Sequence, residues 1–401
     1  MITTANIAGA GLGGLASALA LSKIGVRVSV FEQALALTEV GAGIQLSPNA
    51  MHVARWLGID DQIIRVGFEP EAALIRDYRT GKRYMNAPLA DMCQRRYGAP
   101  YIHIHRADLL MILTEAAVKA GVVIETGADV QGYDASRDRA AFLLGEGLSA
   151  DADLLIGADG LGSKVREQML GAEAPEFTGQ VAWRGLIPAH ILPDGLVAPG
   201  ATVWAGPGRH FVTYYVRGGD LVNIVAVEER ADWRDESWTH PGDPAALRTV
   251  FDGWHPDVTT LIDHLDKCFL WALFGRNPLP TWSDGPVALL GDACHPMLPF
   301  MAQGAAMAFE DAFVLAKCVE ANPSLTSALQ RYEDLRKPRA TKIQAKARAN
   351  ADLFHMNGLR AKASLHAASL LPARTALAPL DRIYGFDPTQ QPTGAGWRSV
   401  T

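Results

Sequence analysis

Cysteine is scarce in this chain: Cys93, Cys268, Cys294 and Cys318 are the four among 401 residues. None belongs to a C-x-x-C pair or stands at ligand spacing from a histidine, so neither a disulfide framework nor a zinc site organises the fold, and a reducing cytoplasm is the expected compartment. Clustered positive charge is also missing. The 37 Lys+Arg are spread along the sequence against 43 Asp+Glu, and with a net charge of -6 there is no footprint for a nucleic acid. The nearest thing to a long apolar run, Ile7 to Val26, contains Gly9, Gly11, Gly13, Gly14 and Gly25 as well as Lys23. No basic residue precedes it, which argues against a signal peptide and against stable membrane association. Repeats, low-complexity tracts and Pro/Ser-rich linkers are absent too, so a second domain has to arise by excursions from the first. What remains is 49% hydrophobic, the composition of a globular chain with a substantial core.

The first positive signal is Gly9-Ala10-Gly11-Leu12-Gly13-Gly14, which follows a short apolar strand and opens a helix. In a strand, G-x-G-x-x-G, helix unit the first glycine makes the tight turn and the second lets the backbone approach a pyrophosphate. The third lets helix and strand pack closely, with helix N–H groups facing the phosphates. Val26-Arg27-Val28-Ser29-Val30-Phe31-Glu32 then alternates as a second strand, and Glu32 stands 18 positions after Gly14, where an acid holds ribose hydroxyls. Two later strands, Leu154-Leu155-Ile156-Gly157-Ala158-Asp159-Gly160 and Val287-Ala288-Leu289-Leu290-Gly291-Asp292, each end in an aspartate. Carboxyl ends of parallel strands are where such sheets bind ligands. Taken singly, either aspartate reads as a turn or a helix cap.

In this order the three segments resemble the fingerprints of the single-component flavoprotein hydroxylases, the family of p-hydroxybenzoate hydroxylase, over about residues 5 to 340. The resemblance implies FAD as cofactor, held by Gly9, Gly11, Leu12, Gly13, Gly14, Glu32, Gln33, Gln45, Arg106, Val130, Asp159, Asp292, Gly304 and Ala305. It also implies NADH or NADPH as a transient reductant, which agrees with the lack of a second G-x-G-x-x-G unit. Dioxygen and a small aromatic acid, of hydroxypyridine carboxylate or hydroxybenzoate type, are the other reactants, with hydroxylation through a flavin hydroperoxide and, in some members, decarboxylation. After Asp292, the prolines of His295-Pro296-Met297-Leu298-Pro299-Phe300 stiffen a loop before a helix that starts near Gln303 to Ala305. That helix N-terminus suits the anionic reduced flavin. By resemblance Pro299 sits beside the reacting edge. His295, next to the proline turn, reads as a loop anchor, and His103 and His105 as structural.

Between the two aspartate motifs the pattern changes to strands and hairpins. Arg209 to Val216 and Leu221 to Val227 flank an Arg-Gly-Gly turn, and strict alternation puts His210, Val212 and Tyr214 on one face. Periodicity alone makes His210 and Tyr214 packing residues. Resemblance to the 6-hydroxynicotinate 3-monooxygenase and salicylate hydroxylase subfamilies makes them catalytic and substrate-binding, assisting deprotonation of the substrate. The same comparison puts Gln45 and Phe300 at pocket positions held by histidines in the first subfamily, and Ala201 at that of a cysteine. Glu236-Ser237-Trp238-Thr239 carries part of the likeness to the second. Arg184 is expected in a structural salt bridge, with a substrate carboxylate as the alternative partner.

The expected fold is α/β, a Rossmann-like FAD-binding domain of p-hydroxybenzoate hydroxylase type with an inserted β-sheet substrate domain and a C-terminal helical segment. Residues 1–70, 100–175 and 280–340 are assigned to the first, 71–99 and 176–279 to the second, and 341–401 to the third, which is expected to form a cap or homodimer surface. Two other functions compete: an FAD-dependent dehydrogenase or oxidase without oxygen insertion, and a nucleotide-binding regulator without turnover.

Overall fold

The computed structural model describes residues 2–37, 42–135, 139–147, 149–230, 232, 240–356, 363–367, 369–370, 372 and 375–391. Gly41 and the segment Glu236-Ser237-Trp238-Thr239 lie outside them. The strand Thr4–Ala8, buried from Ala5 onward, pairs in parallel with Arg27–Glu32 on one side and Leu154–Gly157 on the other. Val123–Thr126 extends the first side; Val287–Leu289 extends the second, with Ser283–Asp284 antiparallel at the edge. The chain leaves Thr4–Ala8 in one direction and later returns on its other side. This reversal opens a crevice at the carboxyl ends of the strands, where Gly9, Asp159 and Asp292 all emerge.

The helix Leu12–Lys23 is buried on nearly every side, as its almost wholly apolar sequence requires. A side chain at Gly13 would strike Leu290 and Ala308, so this glycine lets the helix lie against Gly304–Ala321. The second sheet has eight strands, in the order Pro241–Gly242, Cys268–Gly275, Glu176–Pro188, Leu221–Glu229, Arg209–Val216, Ala201–Gly206, Ala72–Asp77 and Arg83–Pro88. Only the contact between Ala201–Gly206 and Ala72–Asp77 is parallel. One face packs Phe211, Trp183 and Ile224 against the helices Pro244–Val250 and Pro256–Asp263. The opposite face packs Val225, Val227 and Trp271 against Leu298, Phe300, Ala351 and Phe354. Alternation along Arg209–Val216 therefore separates Phe211 from His210 and Val212, as its period of two requires.

A 30-residue helix, Leu325–Phe354, joins the two sheets. It spans about 45 Å at the usual rise per residue. Near its start the Tyr332 hydroxyl donates to the carbonyl of Leu289 (3.1 Å); at its end Phe354 packs on the eight-stranded sheet. Residue 340 falls inside this helix. Midway along it, the buried Arg336 donates to Asp311 (2.7 Å) and pairs with Glu310, which Arg339 also contacts at 2.7 Å. Burial pushes the Asp311 carboxyl up, but His295 and Arg336 beside it prevail and hold it at about 2.

Arg336→Met should leave two buried carboxylates under-compensated and cost about 3–5 kcal/mol, read as a lower urea midpoint. Asp311 titrates below its unfolded value, so its stabilisation is complete above about pH 4 and lost as the pH falls towards 2. Acid titration of wild type and Asp311→Asn should therefore differ in that window.

Candidate active site

Gly9, with φ of +96°, turns the chain out of Thr4–Ala8; a side chain there would meet the carbonyl oxygen of Ala158 at 2.5 Å. The glycine turn and the Asp159 turn thus touch. At Gly14 a Cβ would lie 1.9 Å from the Gly9 carbonyl oxygen, so the helix can begin only where glycine permits. Gly11, the residue before the helix, faces open space, and so does Gly304 at the start of Gly304–Ala321. Two buried helices therefore present bare N-termini with room in front of them, as phosphate groups and a reduced flavin require. Leu12 has its side chain in the core; what it can offer a ligand is its N–H. Ala305, half-buried, follows Gly304 in the first turn.

Glu32 straps the glycine turn. Its carboxylate accepts from the N–H groups of Ala10 and Ala34, both at 2.8 Å, while Gln33 beside it is exposed. Asp159 uses one oxygen to accept from the Lys164 and Val165 N–H groups, capping the helix Lys164–Leu170; its other oxygen is buried without a protein partner. Burial raises this carboxyl, against the pull of Ser163 and the helix N–H groups. Asp292 reaches solvent, yet enough protein surrounds it to raise its carboxyl, with His295 and Arg106 pulling the other way. A carboxyl both enclosed and accessible belongs to the wall of a cleft. An orphaned acceptor, an enclosed acid and two bare helix N-termini fit a nucleotide with a polar ribityl chain, and FAD fits this set.

Arg106 begins the helix Arg106–Lys119, its backbone N–H donating to Ala42 (3.0 Å), and its charge is felt by both Asp292 and Arg184. Asp292 at the carboxyl end of the Rossmann sheet and Arg184 of the eight-stranded sheet therefore both lie within reach of Arg106. Val130 opens a separate three-stranded sheet, with its side chain in the core. Gln45 lies opposite His103 between Gly43–Leu46 and Ile102–His105, and its side-chain oxygen accepts from the Tyr101 hydroxyl (2.7 Å).

His210 and Tyr214 share a face of Arg209–Val216 with Val212 between them, and both are buried. Their anchors differ. The Tyr214 hydroxyl donates to the Gly43 carbonyl (2.7 Å), and burial pushes it up to about 12 although Arg184 opposes this. His210 bonds through Nδ1 to Nε2 of His355 (2.9 Å) and lies 5.2 Å, ring to ring, from Phe300. Phe300 follows Pro299 in a single turn, Pro299–Met301, closed by the left-handed Ala302 (φ +51°). Ala201 packs against Tyr214. Arg184 departs from expectation. Among the described residues it has no carboxylate partner; its guanidinium lies over the Trp271 ring at 4.5 Å, and burial, with Arg106 nearby, lowers it to about 10.

The three other histidines that the sequence reading takes as structural, His103, His105 and His295, have these surroundings. His295 binds Asp311 through Nε2 (2.5 Å), His105 accepts from the Ala107 N–H, and burial holds His103 neutral at about 3. Sequence reading missed Gln303, whose amide donates to Ser47 (2.9 Å) and accepts from Asn49 (3.2 Å), tying the proline loop to the helix Pro48–Leu57. It also missed Glu310 and Asp311. Two acids on a helix apolar on both sides of them were the available signal.

Gly11→Ala separates a cofactor role from a folding role. The open space at this position predicts a stability loss of no more than about 1 kcal/mol in the apoprotein, but FAD retention weakened about tenfold or more, read by flavin fluorescence on dilution.

Comparison with known proteins agrees with this geometry. The FAD binding domain family matches residues 2–347. The 6-hydroxynicotinate 3-monooxygenase of Bordetella bronchiseptica is 39% identical over 342 residues, which are 84% of this chain and 88% of that protein. 3-Hydroxybenzoate 6-hydroxylase 1 of Aquipseudomonas alcaligenes is 39% identical over 357 residues, 88% of this chain and 90% of its own. Among solved structures, Klebsiella pneumoniae HpxO complexed with FAD and uric acid superposes with a TM-score of 0.85 at 27% identity, covering 95% of this chain and 96% of that one. A salicylate hydroxylase substrate complex gives 0.81 at 26% identity, covering 96% of each. With the glycine turn, the two strand-end aspartates and the facing sheet in place, this chain belongs to the FAD-dependent aromatic hydroxylases, the p-hydroxybenzoate hydroxylase family.

Proposed function

We propose that this enzyme hydroxylates a small aromatic acid bearing a ring hydroxyl, at the face of the eight-stranded sheet that carries His210 and Tyr214. The observation that supports this most directly is the approach of Phe300 to His210. It joins the loop before Gly304–Ala321 to a strand with titratable groups. When bound, FAD would supply the redox chemistry, reduction by NADH or NADPH and activation of dioxygen for transfer of one oxygen atom to the ring.

The chain's own residues have three tasks. Arg184, without a carboxylate partner among the described residues and held over Trp271, meets the substrate carboxylate; the rigid fork of a guanidinium suits that pairing. Val212, between His210 and Tyr214, offers the apolar bed for the ring, and Phe300 and Leu298 keep water from it. His210, kept neutral by burial and by the neighbouring His355, takes the proton of the ring hydroxyl on Nε2, since Nδ1 is engaged. Loss of that proton enriches the ring in electrons and favours oxygen transfer. Tyr214, fixed by Gly43, positions the ring from the other end. Phe300 and Gln45, at positions assigned to basic rings in the hydroxynicotinate subfamily, favour a benzene ring over a pyridine. Hydroxybenzoates such as 3-hydroxybenzoate, the acid in the Aquipseudomonas relative's name, are therefore the first substrates to test. Four buried free thiols suit an enzyme of the reducing cytoplasm. A homodimer belongs to the same reading, with sizing chromatography as its check.

The test is oxidation of NADH and of NADPH by the FAD-loaded protein with hydroxybenzoates, salicylate and 6-hydroxynicotinate, with products weighed by mass spectrometry. Gain of one oxygen, with or without loss of carbon dioxide, is expected; peroxide with unaltered acid throughout would mean oxidase chemistry. Arg184→Ala should raise KM for the carboxylated substrate by about 2 kcal/mol, roughly thirtyfold, the worth of a charge-assisted hydrogen bond, and leave the phenol lacking the carboxylate unaffected.

A further inference from the structure

His210 does not end in apolar packing. Its Nδ1 meets Nε2 of His355 at 2.9 Å, and Nδ1 of His355 meets a carboxylate oxygen of Glu229 at 2.9 Å. Both imidazoles are buried, whereas the Glu229 side chain is 43% exposed. The three groups form an unbroken line from the face that bears the substrate to the solvent. We propose that His355 and Glu229 are the outer members of a proton relay that carries the proton of the substrate hydroxyl from His210 to water. This rests on the proposed function, since it takes a hydroxyl-bearing substrate at His210.

The geometry allows one consistent set of tautomers. At rest His210 carries its proton on Nδ1 and donates to Nε2 of His355, which carries its own proton on Nδ1 and donates to Glu229. When the substrate hydroxyl gives its proton to Nε2 of His210, the Nδ1 proton moves to Nε2 of His355. The Nδ1 proton of His355 then moves to Glu229, which releases it to water. Each ring gains one proton and loses one, no buried cation persists, and the substrate is left as the anion. Burial, the largest influence on both rings, keeps each below the ordinary histidine range, as a neutral relay needs. Two carboxylates face His355: Glu229, and Asp352 on its own helix, both of which pull it upwards. His210 is faced by His355 and by the apolar rings of Phe300 and Phe354.

The backbone holds the line in place. His355 caps the helix Leu325–Phe354, its N–H donating to Ala351 (2.9 Å). Its carbonyl accepts from the Gly208 N–H (3.0 Å), and the Gly208 carbonyl accepts from the Glu229 N–H (2.9 Å). One tight turn thus fixes both outer members. Glu229 ends the strand Leu221–Glu229, whose neighbour Arg209–Val216 carries His210. Neither outer residue has to touch substrate; they act through His210 and are positioning residues.

The test uses the FAD-loaded enzyme mixed with 3-hydroxybenzoate in weak buffer with a pH indicator, in a stopped-flow instrument. Wild type should release one proton per acid bound. Glu229→Gln and His355→Ala should slow that release and kcat by about tenfold or more with the dissociation constant for the acid unchanged. Added imidazole should restore His355→Ala but not Glu229→Gln. Release at the wild-type rate in both variants overturns the relay. If wild type turns over none of the phenolic acids, the substrate reading falls first, and the relay is judged without substrate. Glu229→Gln must then shift the ring 15N resonances of His210, which it does not touch; unchanged resonances would overturn it.

Discussion

The carboxylate of Asp311 receives three donors from two parts of the chain, the turn spanning Gly291 to His295 and the long helix. The Gly291 N–H reaches it at 3.2 Å, His295 Nε2 at 2.5 Å and Arg336 Nε at 2.7 Å. The first fixes the turn that presents Asp292, the second the head of the proline loop, and the third the long helix. A buried anion with fewer partners is costly, so these elements have to arrive together. Gln303 and Asn49 extend the network through Glu310 to the helix Pro48–Leu57. The proline loop, the turn that presents Asp292 and the helix ending in His355 are therefore set by one ionic knot, placed away from the face where the ring is proposed to lie.

From that knot the proposed function is argued by position. The Rossmann sheet supplies a crevice whose three strand ends carry Gly9, Asp159 and Asp292. The eight-stranded sheet faces it with Tyr214, Arg184 and His210. Arg106 stands close enough to both to act electrostatically on Asp292 and Arg184. The strand between His210 and Tyr214 rises about 13 Å over four residues, ample for one aromatic ring with a polar group at each side. The polar ends and apolar middle of this face are what support the proposed acid with a ring hydroxyl. A passive nucleotide binder has no need of that pattern.

Much of this was legible in the sequence because it depends on local constraints. Gly9 needs a positive φ, Gly14 leaves no room for a Cβ, and strand alternation puts His210 with Tyr214; each leaves a mark over a few residues. Long-range contacts leave none. Arg184 reads as half of a structural salt bridge until the fold seats it on Trp271, 87 positions away. His355 lies 145 positions from His210 in a helical stretch with no motif, and Glu229 looks like an ordinary strand-end acid. The boundary set at residue 340 falls inside a single helix, Leu325–Phe354. The packing shows that this one helix serves both sheets, Leu329 and Tyr332 lying in the core of the first and Ala351 and Phe354 against the second.

The most direct measurement of the central claim is a crystal structure of the FAD complex with 3-hydroxybenzoate bound. The account predicts the pyrophosphate against Gly11, the ribityl chain at Asp292, and the acid over Val212 with its hydroxyl towards His210 and its carboxylate at Arg184. An acid bound away from the strand Arg209–Val216, or a flavin ring turned from the Phe300 loop, would contradict it.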